Sequence, residues 1–151
     1  LRLAMRQLRK LLEFSWQQRR VLLYACLSLN IIRFALWLFP FKAVRQQLAT
    51  VAAKWVCNQS HTSVSVDFIV WCVKASAYYT PRGSKCLVNA LTAQLLLTRY
   101  QYAHQLHIGI AMDESQTLKA HAWIEYEGNV IIGDLQELSR YKSLSHEGIK
   151  I

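Results

Sequence analysis

The apolar residues of this chain change their spacing once, near residue 100, and that change limits the folds open to it. Before it they recur every three or four positions, the period of a helix; after it they alternate, the period of a strand. Helical patterns cover residues 3–18 (Leu3, Leu8, Leu11, Leu12, Phe14) and about 42–56 (Val44, Leu48, Val51, Ala52, Trp55). Ser65 caps a third helix running to about Tyr79, and a fourth spans about Lys85 to Tyr100 with Leu87, Leu91 and Leu95 turned inward. Strand patterns follow at Leu106 to Met112, Ala120 to Tyr126 and Val130 to Asp134, with turns at 113–116 and 127–129. Helices first and an antiparallel meander second is an α+β arrangement. The 151 residues allow one compact domain with a helical extension. We divide them into a helical front, 1–60, and a core, 61–151.

Between the first two helical patterns lies a nearly uninterrupted apolar run, Val21 to Phe39, ended by Pro40. Its length is close to that of a membrane span. Asn30 and Arg33 argue against one, because an arginine at mid-span costs roughly 2.5–3.5 kcal/mol. A buried central helix is the expectation. Charge is just as uneven. Residues 1–54 hold ten Lys or Arg against Glu13 alone, while in residues 55–151 acids and bases cancel. Such a field favours an acidic partner, an anionic membrane or nucleic acid, or it belongs to a plain solvated face. Cys26, Cys57 and Cys72 sit in apolar stretches, where a thiol is usually a small buried hydrophobe. With no Cys-x-x-Cys pair and no secretory signal, free thiols in a reducing cytoplasm are expected.

Cys86 differs from the other three. It follows the loop Thr80-Pro81-Arg82-Gly83 and Ser84, a good N-cap residue, so it falls in the first turn of a helix. Partial positive charge there favours a thiolate, and the turn's unpaired amides can hold an oxyanion. Across the hairpin, a two-residue turn at Glu127-Gly128 would set His121 directly opposite Asp134 on one face of the sheet. A turn at Gly128-Asn129 would make them diagonal neighbours, still on one face, and only an odd-length loop would part them. Cys86, His121 and Asp134 then make a nucleophile, a base and the acid that orients the base. Trp123, two residues beyond His121, shares its face and either lines a substrate cleft or belongs to the core. Cys57 with His61, and His104 with His107, have metal-ligand spacing but lack further ligands, so neither a metal nor a cofactor is expected.

The segments Lys85-Cys-Leu-Val-Asn-Ala-Leu91, Leu106-His-Ile-Gly-Ile110, Lys119-Ala-His-Ala-Trp-Ile-Glu125 and Gly133-Asp134 resemble the transglutaminase-like cysteine peptidases. The branch they most resemble is the stand-alone leader peptidases of lasso peptide biosynthesis. The front is similar too, with a basic helical start, Arg33 in an apolar helix, and Phe39-Pro40-Phe41 where that branch has Leu-Pro-Phe. The resemblance implies a papain-like core with a Cys-bearing helix and a small antiparallel sheet. It implies Cys86, His121 and Asp134 as the triad, and removal of the leader from a ribosomally made precursor. A separate ATP-using cyclase then closes the ring. Fused members carry a small leader-gripping domain of strands and helices. Residues 1–60 here have no strand pattern, so a separate recognition protein is expected to supply that grip.

Triad chemistry does not name its acceptor, so another acyl transferase or an amidase is a second enzyme reading. A basic binding module with an idle triad is a reading of a different class. Selective labelling of Cys86 at neutral pH separates the two. Nucleic-acid binding ranks behind both, and its mark would be salt-sensitive binding by residues 1–54.

Overall fold

The computed structural model describes residues 14–56, 64–80, 85–112, 116–134 and 138–143. Helix α1 spans Trp16–Leu38. It starts at Ser15, whose hydroxyl accepts from the Gln18 amide at 3.3 Å while the Ser15 amide donates to Gln18 Oε1 at 3.0 Å. This reciprocal capping box fixes a helix start inside the segment that apolar spacing alone assigns to one helix over 3–18. At the other end, Pro40 forces Phe39 into an extended conformation and becomes the N-cap of α2, Phe41–Lys54. Helix α3, Val66–Tyr78, starts at Ser65, whose side chain accepts from the Phe68 amide. Helix α4 spans Cys86–Arg99.

The buried central helix is α4, not the apolar run. Val88, Leu91, Leu95, Leu96 and Leu97 of α4 are all buried, and α1, α2, α3 and strand β2 pack around it. Helix α1 gives the core one stripe only, Val21, Ala25, Leu29 and Ile32, set against α3 and α4. Leu23, Leu27, Ile31, Phe34 and Leu38, on its other face, are exposed. Cys26 is exposed as well, against the expectation of a buried thiol, because it flanks that outward stripe. Cys72 is fully buried, and desolvation pushes its thiol up to about 12, so it stays protonated at neutral pH. Arg99 at the end of α4 ties three helices together. Its Nη1 donates to the Trp55 carbonyl at 2.8 Å, and its guanidinium lies 4.2 Å from the Trp55 ring centroid and 4.9 Å from that of Tyr24.

The sheet is antiparallel, in the order β3-β2-β1-β4. Its strands are β1 (Gln105–Met112), β2 (Leu118–Tyr126), β3 (Asn129–Ile132) and the two-residue β4 (Lys142–Ser143). Leu106, Ala122, Ile124 and Ile132 join the helical core, while His107, His121, Trp123 and Glu125 occupy the other face. Glu127 and Gly128 both have positive φ, 49° and 79°, which makes the hairpin between β2 and β3 a two-residue type I′ turn.

His104, just ahead of β1, is buried and bonds the Tyr102 carbonyl through Nδ1 at 2.7 Å. Burial lowers its pKa, so the folded state resists the proton that an unfolded chain accepts near pH 6.5. The stability this neutral imidazole gives is therefore whole above about pH 6.5 and is lost as pH falls towards its folded-state value. The unfolding free energy from urea titrations should drop between pH 7 and pH 5, by at most about 1.4 kcal/mol per pH unit for one proton. His104→Gln should flatten that slope, and an unchanged slope would assign it to another group.

Candidate active site

Three elements converge on the far face of the sheet: β2, the end of β3, and the segment 138–143. The hairpin begins in the expected register, with Tyr126 opposite Asn129 and Glu125 opposite Val130. A β-bulge then intervenes, and Ile124 pairs with Ile132, which leaves Ile131 unmatched. One extra residue shifts everything beyond it and exchanges the faces. The direct opposition of His121 and Asp134 expected from the turn alone is therefore not formed. Strand β3 also stops at Ile132 instead of reaching Asp134, because Gly133 turns the chain at φ +79°.

The bulge brings a different group to the imidazole. His121 Nε2 lies 2.7 Å from the carbonyl oxygen of Gly133. A carbonyl can only accept, so Nε2 carries the proton and the lone pair of the neutral ring is on Nδ1. Asp134, the next residue, is exposed and makes no hydrogen bond or ion pair with a described residue. Gly133 has to be a glycine. A Cβ there would sit 2.5 Å from the Ala122 carbonyl oxygen and 3.1 Å from Trp123 Cα.

The ring of His121 is packed as well as bonded. It stacks on Trp123 at 6.2 Å and 17°, and Trp123 stacks on His107 at 5.3 Å and 16°. Tyr141 lies 5.5 Å from His121 at 48°. Trp123 is 6 % exposed, with an imidazole on either side of it. Gly109 stands opposite His121 on β1, and a Cβ there would come within 3.0 Å of both Trp123 and Tyr141. Gly109 thus leaves the space in which Trp123 and Tyr141 flank the histidine. Glu125 lies on this face as well. Its Oε2 lies 3.3 Å from His107 Nε2, although that nitrogen makes no aligned hydrogen bond, so the contact is a close electrostatic approach. Nothing in the sequence pattern marks Tyr141 or the Gly133 carbonyl. The clues are local: a Gly-Asp pair after a short strand and a glycine opposite the histidine.

Cys86 is half-buried and is the first residue of α4, with Lys85 at the N-cap position in place of the expected Ser84. Lys85 offers no side-chain cap, so that side chain leaves the first-turn amides unclaimed. Helix α4 packs on β2, but the Cys86 thiol makes no hydrogen bond with His121 or any other described side chain. Ser84, Cys57 and His61 lie outside the described residues. Among the described residues, no group of three or more His, Cys, Asp and Glu side chains could hold a metal ion.

A Cys-headed helix packed on a strand that carries a tautomer-fixed histidine is an arrangement shared by many cysteine enzymes. The decisive observation is a match of the transglutaminase-like superfamily profile to residues 30–146. The chain belongs to the transglutaminase-like superfamily. The match begins inside α1 and takes in the rest of the front, the Cys86 helix and the whole sheet. Searches of curated proteins and of solved structures returned no match. Transglutaminase-like domains are generally enzymes built on a Cys-His-Asp triad and typically soluble, and membership supports a cysteine-based catalytic role.

Proposed function

We propose that this transglutaminase-like protein is a cysteine peptidase that removes the leader from a ribosomally made lasso precursor peptide in the cytoplasm, ahead of ring closure by a separate cyclase. The observation that carries the peptidase reading is the fixed tautomer of His121. With Nε2–H committed to Gly133, only Nδ1 can act as base. In the proposed reaction Nδ1 takes the Cys86 thiol proton, and the thiolate attacks the scissile carbonyl. Amides of the first α4 turn hold the oxyanion. The same Nδ1–H then protonates the leaving amine, which becomes the free terminus of the core peptide. Water, deprotonated by Nδ1, hydrolyses the thioester and releases the leader carboxylate. Asp134 is the acid nearest in sequence to the Gly133 contact and is proposed to stabilise the imidazolium. Cys86 and His121 are proposed to close on one another with substrate bound, since catalytic hydrogen bonds commonly tighten only in the Michaelis complex. Trp123 supports the His121 ring and would border the substrate beside it.

The lasso assignment is supported by the run Ala120-His-Ala-Trp-Ile-Glu125 taken with Cys86-Leu87, Arg33 and Phe39-Pro40-Phe41. The test is a cleavage time course on a lasso precursor, followed by mass spectrometry, with and without a small leader-recognition protein. A single cut at the leader–core junction, about tenfold faster with the recognition protein, is expected, and tenfold corresponds to about 1.4 kcal/mol of coupling. Full-speed cleavage by the isolated chain would show that it grips the leader itself. No cleavage in either arm, beside amide or ester turnover on small acyl substrates, would replace the peptidase with the acyl-transferase or amidase reading.

A further inference from the structure

Helix α1 presents two faces of opposite fate. One is sealed in the core, and the other shows Leu23, Leu27, Ile31, Phe34 and Leu38 at 51–65 % exposure. These positions recur at helical spacing and form one continuous stripe. Trp16 and Trp37, 74 % and 77 % exposed, stand near its two ends. Asn30 lies within the stripe but turns its amide inward, donating to the Cys26 carbonyl at 2.8 Å. The stripe runs at Ile31 into an apolar groove of about 660 Å³ between α1 and α2, lined by Ala35, Phe39, Val44, Leu48 and Val51. Throughout residues 14–56 every charged side chain is cationic: Arg19, Arg20, Arg33, Lys42, Arg45 and Lys54. The acids among the described residues, Asp67, Glu125, Glu127 and Asp134, belong to α3, β2, the hairpin and the end of β3.

We infer that the α1–α2 face is a seat for an anionic phospholipid bilayer, on which α1 lies in the plane of the interface. An apolar stripe with tryptophans, bordered by Lys and Arg and free of acids, is the composition of an interfacial helix. Indole rings settle at the headgroup level, and cations meet the negative lipid surface. Helix α1 has the length and apolarity to cross a membrane, yet crossing would pull Val21, Ala25, Leu29 and Ile32 out of the core they complete. Lying flat keeps that core and covers the exposed stripe. A second copy is the poorer occupant, because two such faces would bring cations against cations. A partner helix is poorer too. The groove borders only the C-terminal half of α1, whereas the stripe is convex along the whole helix, and a flat, deformable surface covers a convex ridge. The inference does not depend on the peptidase reading.

Flotation of the full chain with vesicles tests it. Phosphatidylcholine vesicles containing about 30 mol % phosphatidylglycerol should carry the protein, with pure phosphatidylcholine about tenfold weaker and about 0.5 M NaCl weakening the anionic arm. The double change Phe34→Ser and Trp37→Ser, both outside the core, should lower binding about tenfold with an unchanged circular dichroism spectrum. Lys42→Glu, at an exposed site, should lower it about fivefold or more. Brominated lipids should quench the wild-type fluorescence, and Trp37→Phe should remove much of that quenching. Folded protein that stays with the aqueous phase overturns the inference. So does binding that ignores both the apolar and the charge changes. If the serine changes instead split a soluble dimer that never floats, the occupant is a second copy.

Discussion

Cys86→Ala should abolish precursor cleavage, lowering the rate by about 10⁴-fold or more, and His121→Ala should do nearly the same. The two act as one unit, so the double variant should be scarcely worse than either single one. Stability should move little for Cys86→Ala, because the residue stands at a half-buried helix start and the change removes one sulfur. Cys72→Ala gives the contrasting pattern. Cys72 is fully buried, so its truncation should lower the urea midpoint and leave turnover per folded molecule unchanged. Wild-type cleavage by Cys86→Ala would end the assignment of the nucleophile.

The second large effect should come from a residue with no side chain. Gly133→Ala forces a Cβ to within 2.5 Å of a backbone oxygen, at a φ of +79° that side chains rarely adopt. Strain and displacement together should cost roughly 3 kcal/mol of stability. They also move the carbonyl that accepts from His121. A histidine that loses its tautomer can lose about 10⁴-fold in rate, so cleavage by the folded fraction should fall at least a hundredfold. Nitrogen NMR of the His121 ring reads the cause directly. Wild type should show the proton on Nε2, and Gly133→Ala a mixture of tautomers. Asp134→Asn should leave the tautomer alone, because the backbone sets it, and should lower the rate less. A larger rate loss from Asp134→Asn than from Gly133→Ala would return the orienting role to the carboxylate.

Much of the architecture was legible because it rests on period. The switch from helical to alternating spacing locates α4, β1 and β2, and Glu127-Gly128 supplies the positive-φ residues of a type I′ turn. Three things were not legible, each for a physical reason. The bulge at Ile131 sits within an apolar Val130-Ile131-Ile132 run, where both faces read alike and register leaves no trace. The capping box at Ser15 and Gln18 competes with an amphipathic pattern that runs straight through it. The exposed stripe of α1 is invisible in composition, since a helix apolar all round reads the same whether protein covers both faces or one.

Gly109 has a consequence for how such a site can change over time. Tyr141 reaches the imidazole only because β1 has no side chain opposite His121. Among the described residues, the stretch that carries Tyr141 pairs with the sheet at Gly109 with Ser143 and Ile110 with Lys142. The roof beside the reactive ring is therefore a separate part from the frame beneath it, which α4, β2 and the Gly133 carbonyl hold. A change at Tyr141 alters the roof and leaves the α4 core in place, whereas a Cβ at 109 meets both Trp123 and Tyr141. Selectivity and framework are separable targets here, and a library confined to the roof segment is where new specificities should be sought.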